Sequence, residues 1–137
     1  MTRKLLLPFV LLGLIFITGC SDKVHIGGKV TFSDDNSPVT FGTVEFSTPS
    51  FRTEGQIKSD GTYVIGTDTL TDGISKGTYG ITVRVDEVTM IDQPDGSQTP
   101  STRSLIDSKY HSVETSGLTF TVDGKTRKFD IPVDRAK

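Results

Sequence analysis

From Val24 onward the chain alternates between apolar and polar residues. Val24, Ile26, Val30 and Phe32 fall on one side, with Gly28 among them, and His25, Gly27, Lys29 and Thr31 on the other. Val44 and Phe46 alternate with Thr43, Glu45 and Ser47. The clearest run sets Tyr79, Ile81, Val83 and Val85 against Thr78, Gly80, Thr82, Arg84 and Asp86. Near the end, Leu118, Phe120 and Val122 oppose Thr119 and Thr121, and Phe129, Ile131 and Val133 oppose Lys128, Asp130 and Pro132. Successive side chains of a strand point to opposite faces, so this pattern predicts half-buried strands. No long stretch after Cys20 has helical period.

Turn chemistry separates the runs. Asp34-Asp35-Asn36-Ser37-Pro38 predicts a loop, since Asx side chains bond their own backbone and proline fixes φ. Asp60-Gly61 and Asp123-Gly124 predict hairpin turns. A two-residue turn at Asp60-Gly61 would set Ile57 against Val64. A longer one turns Tyr63 and Ile65 inward, and is preferred because Tyr63 is the larger body to bury. The stretch from Glu87 to Ser108 is polar and holds Pro94, Gly96 and Pro100. It reads as a solvated excursion with Met90 and Ile91 pinning it to the body, or else as a binding loop at one end of the fold. Antiparallel strands with one wet face predict an all-β sandwich or barrel.

The front of the chain follows another pattern. Arg3 and Lys4 precede an almost wholly apolar run from Leu5 to Ile17. A run of roughly 13 residues is too short to cross about 30 Å of hydrocarbon as a helix, and suits the core of a secretory signal peptide. Ile17, Thr18, Gly19 and Cys20 resemble the bacterial lipobox, an aliphatic residue and two small residues before a cysteine. The resemblance implies cleavage before Cys20 and lipidation of its thiol. Residues 1–19 are then a lipoprotein signal peptide, 20–23 a lipidated linker and 24–137 the folded domain. Two or three acyl chains make such an anchor durable. Ser21, where an aspartate would signal inner-membrane retention, weakly favours the outer membrane.

A length of 137 residues allows one domain. The net charge of -2 argues against a nucleic-acid partner, which would demand a basic excess. A single cysteine excludes an internal disulfide framework and multi-cysteine metal sites.

Several segments together resemble the carboxypeptidase regulatory-like, or transthyretin-like, domain. They are Gly28-Lys29-Val30-Thr31, Ser37-Pro38-Val39, Gly42-Thr43-Val44-Glu45-Phe46, Ser59-Asp60-Gly61-Thr62-Tyr63-Val64-Ile65 and Gly77-Thr78-Tyr79-Gly80-Ile81-Thr82-Val83. The stretch from Lys109-Tyr110 to Leu118-Thr119 is similar to small lipoproteins of planctomycete-type bacteria. The resemblance runs from Val24 to Val133 and implies a seven-stranded Greek-key β-sandwich with Tyr63 and Tyr79 in its core.

Candidate chemistry is sparse. Some transthyretin-like proteins hydrolyse 5-hydroxyisourate, and His25 lies where a first-strand histidine would. The chain ends Val133-Asp134-Arg135-Ala136-Lys137, however, without the Tyr-Arg-Gly-Ser ending of that group. His25 and His111 both sit in polar surroundings and are expected at the surface. Asp34, Asp35 and Asn36 cluster but lack the spacing of a calcium loop, and Asp68 and Asp72 flank another turn. No catalytic group, metal site or cofactor is expected. The sequence therefore predicts a non-catalytic cell-envelope lipoprotein, held to the membrane by its N-terminal lipid, that binds or scaffolds an unspecified protein or glycan. The alternatives are a structural subunit of a surface or secretion assembly and, behind it, a small hydrolase.

Overall fold

A computed structural model describes residues 22–69 and 72–137. The lipobox residues Ile17, Thr18, Gly19 and Cys20, and the signal peptide before them, lie outside the described residues.

The described chain is mostly strand. Its elements are β1 (Lys23–Val24), β2 (Ile26–Phe32), β3 (Thr43–Thr48), β4 (Phe51–Gln56), β5 (Thr62–Ile65), β6 (Ile74–Ser75), β7 (Gly77–Arg84), β8 (Asp86–Asp92), β9 (Gln98–Ser104), a 3-10 turn (Ser108–His111), α1 (Val113–Ser116), β10 (Thr119–Val122) and β11 (Ile131–Val133). One sheet runs β10-β7-β3-β4, antiparallel throughout. A second runs β11-β2-β5, with β11 parallel to β2. Two short pairs, β1-β6 and β8-β9, complete the set.

The inward residues of the two larger sheets form one core. Val44, Phe46, Tyr79, Ile81 and Val83 meet Ile26, Val30, Tyr63, Ile65, Ile131 and Val133, all buried. The Phe46 ring stands 6.4 Å from that of Tyr63 and 6.1 Å from that of Tyr79, so aromatic contacts join the layers. Both tyrosines keep their hydroxyls satisfied. Tyr63 donates to the Phe129 carbonyl, and Tyr79 to the Ser75 carbonyl at 2.9 Å. Burial, with the Asp130 charge as a smaller contribution, pushes the Tyr63 hydroxyl pKa well up. The inward placement expected of Tyr63 and Ile65 holds, and Ile57 is buried with them. Where β4 crosses β5 the layers nearly touch: a Cβ on Gly55 would lie 2.2 Å from the Val64 carbonyl oxygen, so only glycine fits.

Three expectations need correction. Asp60-Gly61 and Asp123-Gly124 do not close hairpins within one sheet. The first joins β4 to β5 and the second β10 to β11, and each pair is split between the two sheets. Asp-Gly supplies the tight bend, but which strands it joins depends on contacts distant in sequence. Second, the outer face of β7 is not wholly wet. The 3-10 turn and α1 pack over it, Ser116 donates to the Ile81 carbonyl at 2.6 Å, and Thr82 is buried. Third, the stretch from Glu87 to Ser108 is not an irregular excursion. Most of it is the antiparallel pair β8-β9, in register from Asp86↔Ser104 to Asp92↔Gln98. Its β-branched residues Val88, Thr89, Ile91, Thr99 and Thr102 suit an extended backbone, but neither face is buried, so no apolar alternation marks it.

Candidate interaction surface

The β8-β9 arm leaves the body between two buried residues, Val85 and Ile106. Its root is fixed. Leu105 N–H donates to the Val85 carbonyl at 2.8 Å, Ala136 N–H to the Leu105 carbonyl at 3.0 Å, and Asp107 N–H to the Asp134 carbonyl at 2.9 Å. The Ser104 hydroxyl and His111 Nε2 lie 3.1 Å apart. His111 is thus half-buried at the arm's base rather than at the open surface, a correction to its expected exposure. His25 is exposed as expected, in the single residue between β1 and β2.

Charged groups brace the same root. Lys109 pairs with the Asp134 carboxylate, which also accepts from the hydroxyls of Ser33 and, at 3.2 Å, Tyr110. These three donors, Lys109 foremost, lower the Asp134 pKa to about 2. Arg135 lies over the Phe32 ring, 3.6 Å from its centroid, and reaches Asp34 at 2.9 Å and Asp35 at 3.0 Å. Asp35 is also lowered to about 2, first by the Ser37 hydroxyl and backbone N–H and then by Arg135. The Asp34-Asp35 cluster therefore meets a guanidinium. Asp72 accepts from the backbone N–H of Thr67 at 2.7 Å and of Asp68 at 2.9 Å, and pairs with Lys23 at 3.1 Å. These carboxylates organise loops. Among the described residues no three His, Cys, Asp or Glu side chains stand together as a metal would require.

A shallow cleft over β3 and β7 is lined by Glu45, Arg52, Arg84, His111 and Glu114, but not by His25. Its charges are occupied: Arg52 pairs with Glu45 at 3.3 Å, Glu114 accepts from the Ser112 hydroxyl, and Arg84 donates to the His111 carbonyl at 3.4 Å.

The arm itself offers a different surface. Val88, Met90 and Ile91 are 62%, 61% and 49% exposed. Met90 and Ile91 do not pin the arm to the body, contrary to expectation, since both side chains are largely exposed. At the tip, Gln93 N–H donates to the Ser97 carbonyl at 2.8 Å and Gly96 N–H to the Gln93 carbonyl at 2.9 Å, with Gly96 at φ 82°. Antiparallel ladders alternate hydrogen-bonded and non-bonded pairs. Counting from Gln93↔Ser97 to Val85↔Leu105, the odd-numbered residues of β8 bond to β9, and the even-numbered ones turn their N–H and C=O outward. On β9 that outward row includes Pro100, which has no N–H to offer. On β8 it is Asp86, Val88, Met90 and Asp92, and no strand pairs with that edge among the described residues.

No family model matches the chain, and no curated protein matches it. Two solved structures are similar to it. One is the major pilin subunit of Bacillus cereus, at 11% identity and a TM-score of 0.45, over 84% of this chain and 30% of that one. The other is a 9R-lipoxygenase from Cyanothece PCC8801, at 13% identity and a TM-score of 0.35, over 85% of this chain and 17% of that one. The chain thus spans less than a third of the length of either.

Proposed function

We propose that this chain is a non-catalytic cell-envelope lipoprotein, a lipid-anchored β-sandwich that binds or scaffolds a protein or glycan, in the outer membrane rather than the inner. The observation that carries the reading is the run from Arg3 to Cys20, in which a charged start, a short apolar stretch and two small residues lead to the sole cysteine. A free exported thiol would be open to oxidation, whereas a lipidated one is an anchor. The body is read as a seven-stranded Greek-key sandwich of transthyretin-like type. Support comes from one sheet of four strands, another of three, and the burial of Tyr63 and Tyr79 from the two Gly-x-Tyr-like motifs. His25 and His111 stand apart, the first exposed and the second against Ser104 at the arm's base, and Asp34, Asp35, Asp72 and Asp134 hold loops and the arm's root, an arrangement that supports a binding or scaffolding role. The exposed Val88, Met90 and Ile91 also suit a structural subunit of a surface assembly, in which such residues would be permanently covered.

Metabolic labelling with a fatty-acid analogue tests the anchor. The wild-type chain takes up label and stays in the membrane fraction, while Cys20→Ala takes up none. Label on Cys20→Ala, or an unlabelled wild-type protein released to the medium, overturns the reading.

A further inference from the structure

The geometry points to the outer edge of β8 as a strand-addition site for an extended protein segment with aliphatic residues at alternate positions and lysine or arginine at its ends. The inference rests on reading the chain as a binding module, but not on the lipid anchor.

Four observations converge on this edge. The outward backbone groups of Asp86, Val88, Met90 and Asp92 form an unpaired row about 20 Å long at roughly 3.4 Å per residue. Natural sheets blunt such edges with proline, charged side chains or a bulge. Pro100 removes a donor from the β9 edge, while β8 contains neither proline nor bulge and its charges, Asp86, Glu87 and Asp92, are all acidic, so they repel an acidic edge but not a basic one. A solitary two-stranded hairpin is marginal in water, and a third strand supplies the ladder and apolar contact it lacks. Finally, Val88, Met90, Pro100 and Thr102 share one face of the arm, and Val88 and Met90 are mostly exposed. An added strand with aliphatic residues on that face would cover both.

Charge selects the occupant. The arm carries Asp86, Glu87, Asp92 and Asp95 against a single base, Arg103, which is already 3.6 Å from Glu87. Basic ends on the incoming strand would lie near Asp86 and Asp92. A second copy of this chain fits poorly. Antiparallel β8-β8 pairing that sets Val88 against Met90 also sets Asp86 against Asp92, and like charges directly opposed destabilise a sheet.

The test uses the full chain in detergent micelles and a synthetic nine-residue peptide of alternating valine and threonine with lysine at both ends. Amide hydrogen exchange is read residue by residue. The outward amides of Val88 and Met90 slow on adding peptide, by about tenfold or more at saturation. A peptide with glutamate ends binds about tenfold more weakly or worse. Met90→Pro removes one outward donor while sparing the ladder to β9, and weakens binding by a similar factor. Unchanged exchange at Val88 and Met90 with peptide at about 1 mM overturns the proposal, as does equal binding of both peptides. A wild-type chain that self-associates through β8 without peptide also overturns it in favour of a second copy. The exchange readout on wild-type protein decides the matter even if Met90→Pro disrupts the arm. Failure here leaves Cys20 labelling untouched, so the two readings fall separately.

Discussion

Met90 and Pro100 stand opposite one another across the β8-β9 arm, at a position where both backbones turn away from the ladder. The pair makes the arm asymmetric: one edge is closed by an imide nitrogen and the other keeps its donors. Met90 and its neighbour on the same face, Val88, expose their side chains along the edge that keeps its donors.

The exposure of Val88 and Met90 predicts that they contribute little to the body. Val88→Thr with Met90→Thr changes unfolding free energy by no more than about 0.5 kcal/mol, measured by denaturant titration. A loss of several kcal/mol would place them against the core.

Tyr79 should behave in the opposite way. Its ring lies against Phe46 and, at 6.3 Å, Phe51. Tyr79→Ala is expected to cost about 3–5 kcal/mol, as for other large aromatic truncations. A cost below about 1 kcal/mol would mean that the ring is not part of the core.

Gly55→Ala tests the approach of the two layers. The added methyl meets backbone rather than a movable side chain, so the sheets must separate locally. The expected cost is about 1–3 kcal/mol, with β5 amides exchanging faster than those of β7. An unchanged midpoint would show that the layers are more loosely packed at this crossing.

The carboxylates at the arm's root give an acid limit with a definite sign. Asp35 and Asp134 both fall from the usual 3.8 to about 2 in the folded chain. The folded state thus binds fewer protons than the unfolded one through this range, and stability rises with pH there. Their contribution is complete above about pH 4 and is lost as pH falls through about 2. Asp134→Asn should flatten the slope of stability against pH between those values. An unchanged slope would mean that Lys109, Ser33 and Tyr110 do not hold this carboxylate.

Much of the body was legible in the sequence because period-two alternation reports one buried face directly. Val24, Ile26, Val30 and Phe32 are buried on one side of their strands, and Tyr79, Ile81 and Val83 on theirs. The arm was not legible for the same physical reason. Both of its faces are wet, so Thr89, Ser101 and Thr102 carry no alternation, and Pro94, Gly96 and Pro100 imitate an irregular loop. The signal that could have exposed it is the clustering of β-branched residues on either side of Pro94-Asp95-Gly96-Ser97. His111 escaped because its partner, Ser104, belongs to the arm. The joins at Asp60-Gly61 and Asp123-Gly124 were half-legible: local chemistry specifies the bend, while the sheet each strand enters is decided by contacts across the core.

The most direct measurement for the account as a whole is site-specific photocrosslinking in intact cells. A photoreactive residue replaces Met90 in one strain and Asp123, on a remote turn, in another, each with and without Cys20→Ala. A discrete protein adduct is expected from position 90, none from position 123, and the adduct is lost when Cys20→Ala removes the anchor and with it the protein's place beside its partner. No adduct from position 90, or the same adducts from both positions regardless of Cys20, would contradict the account.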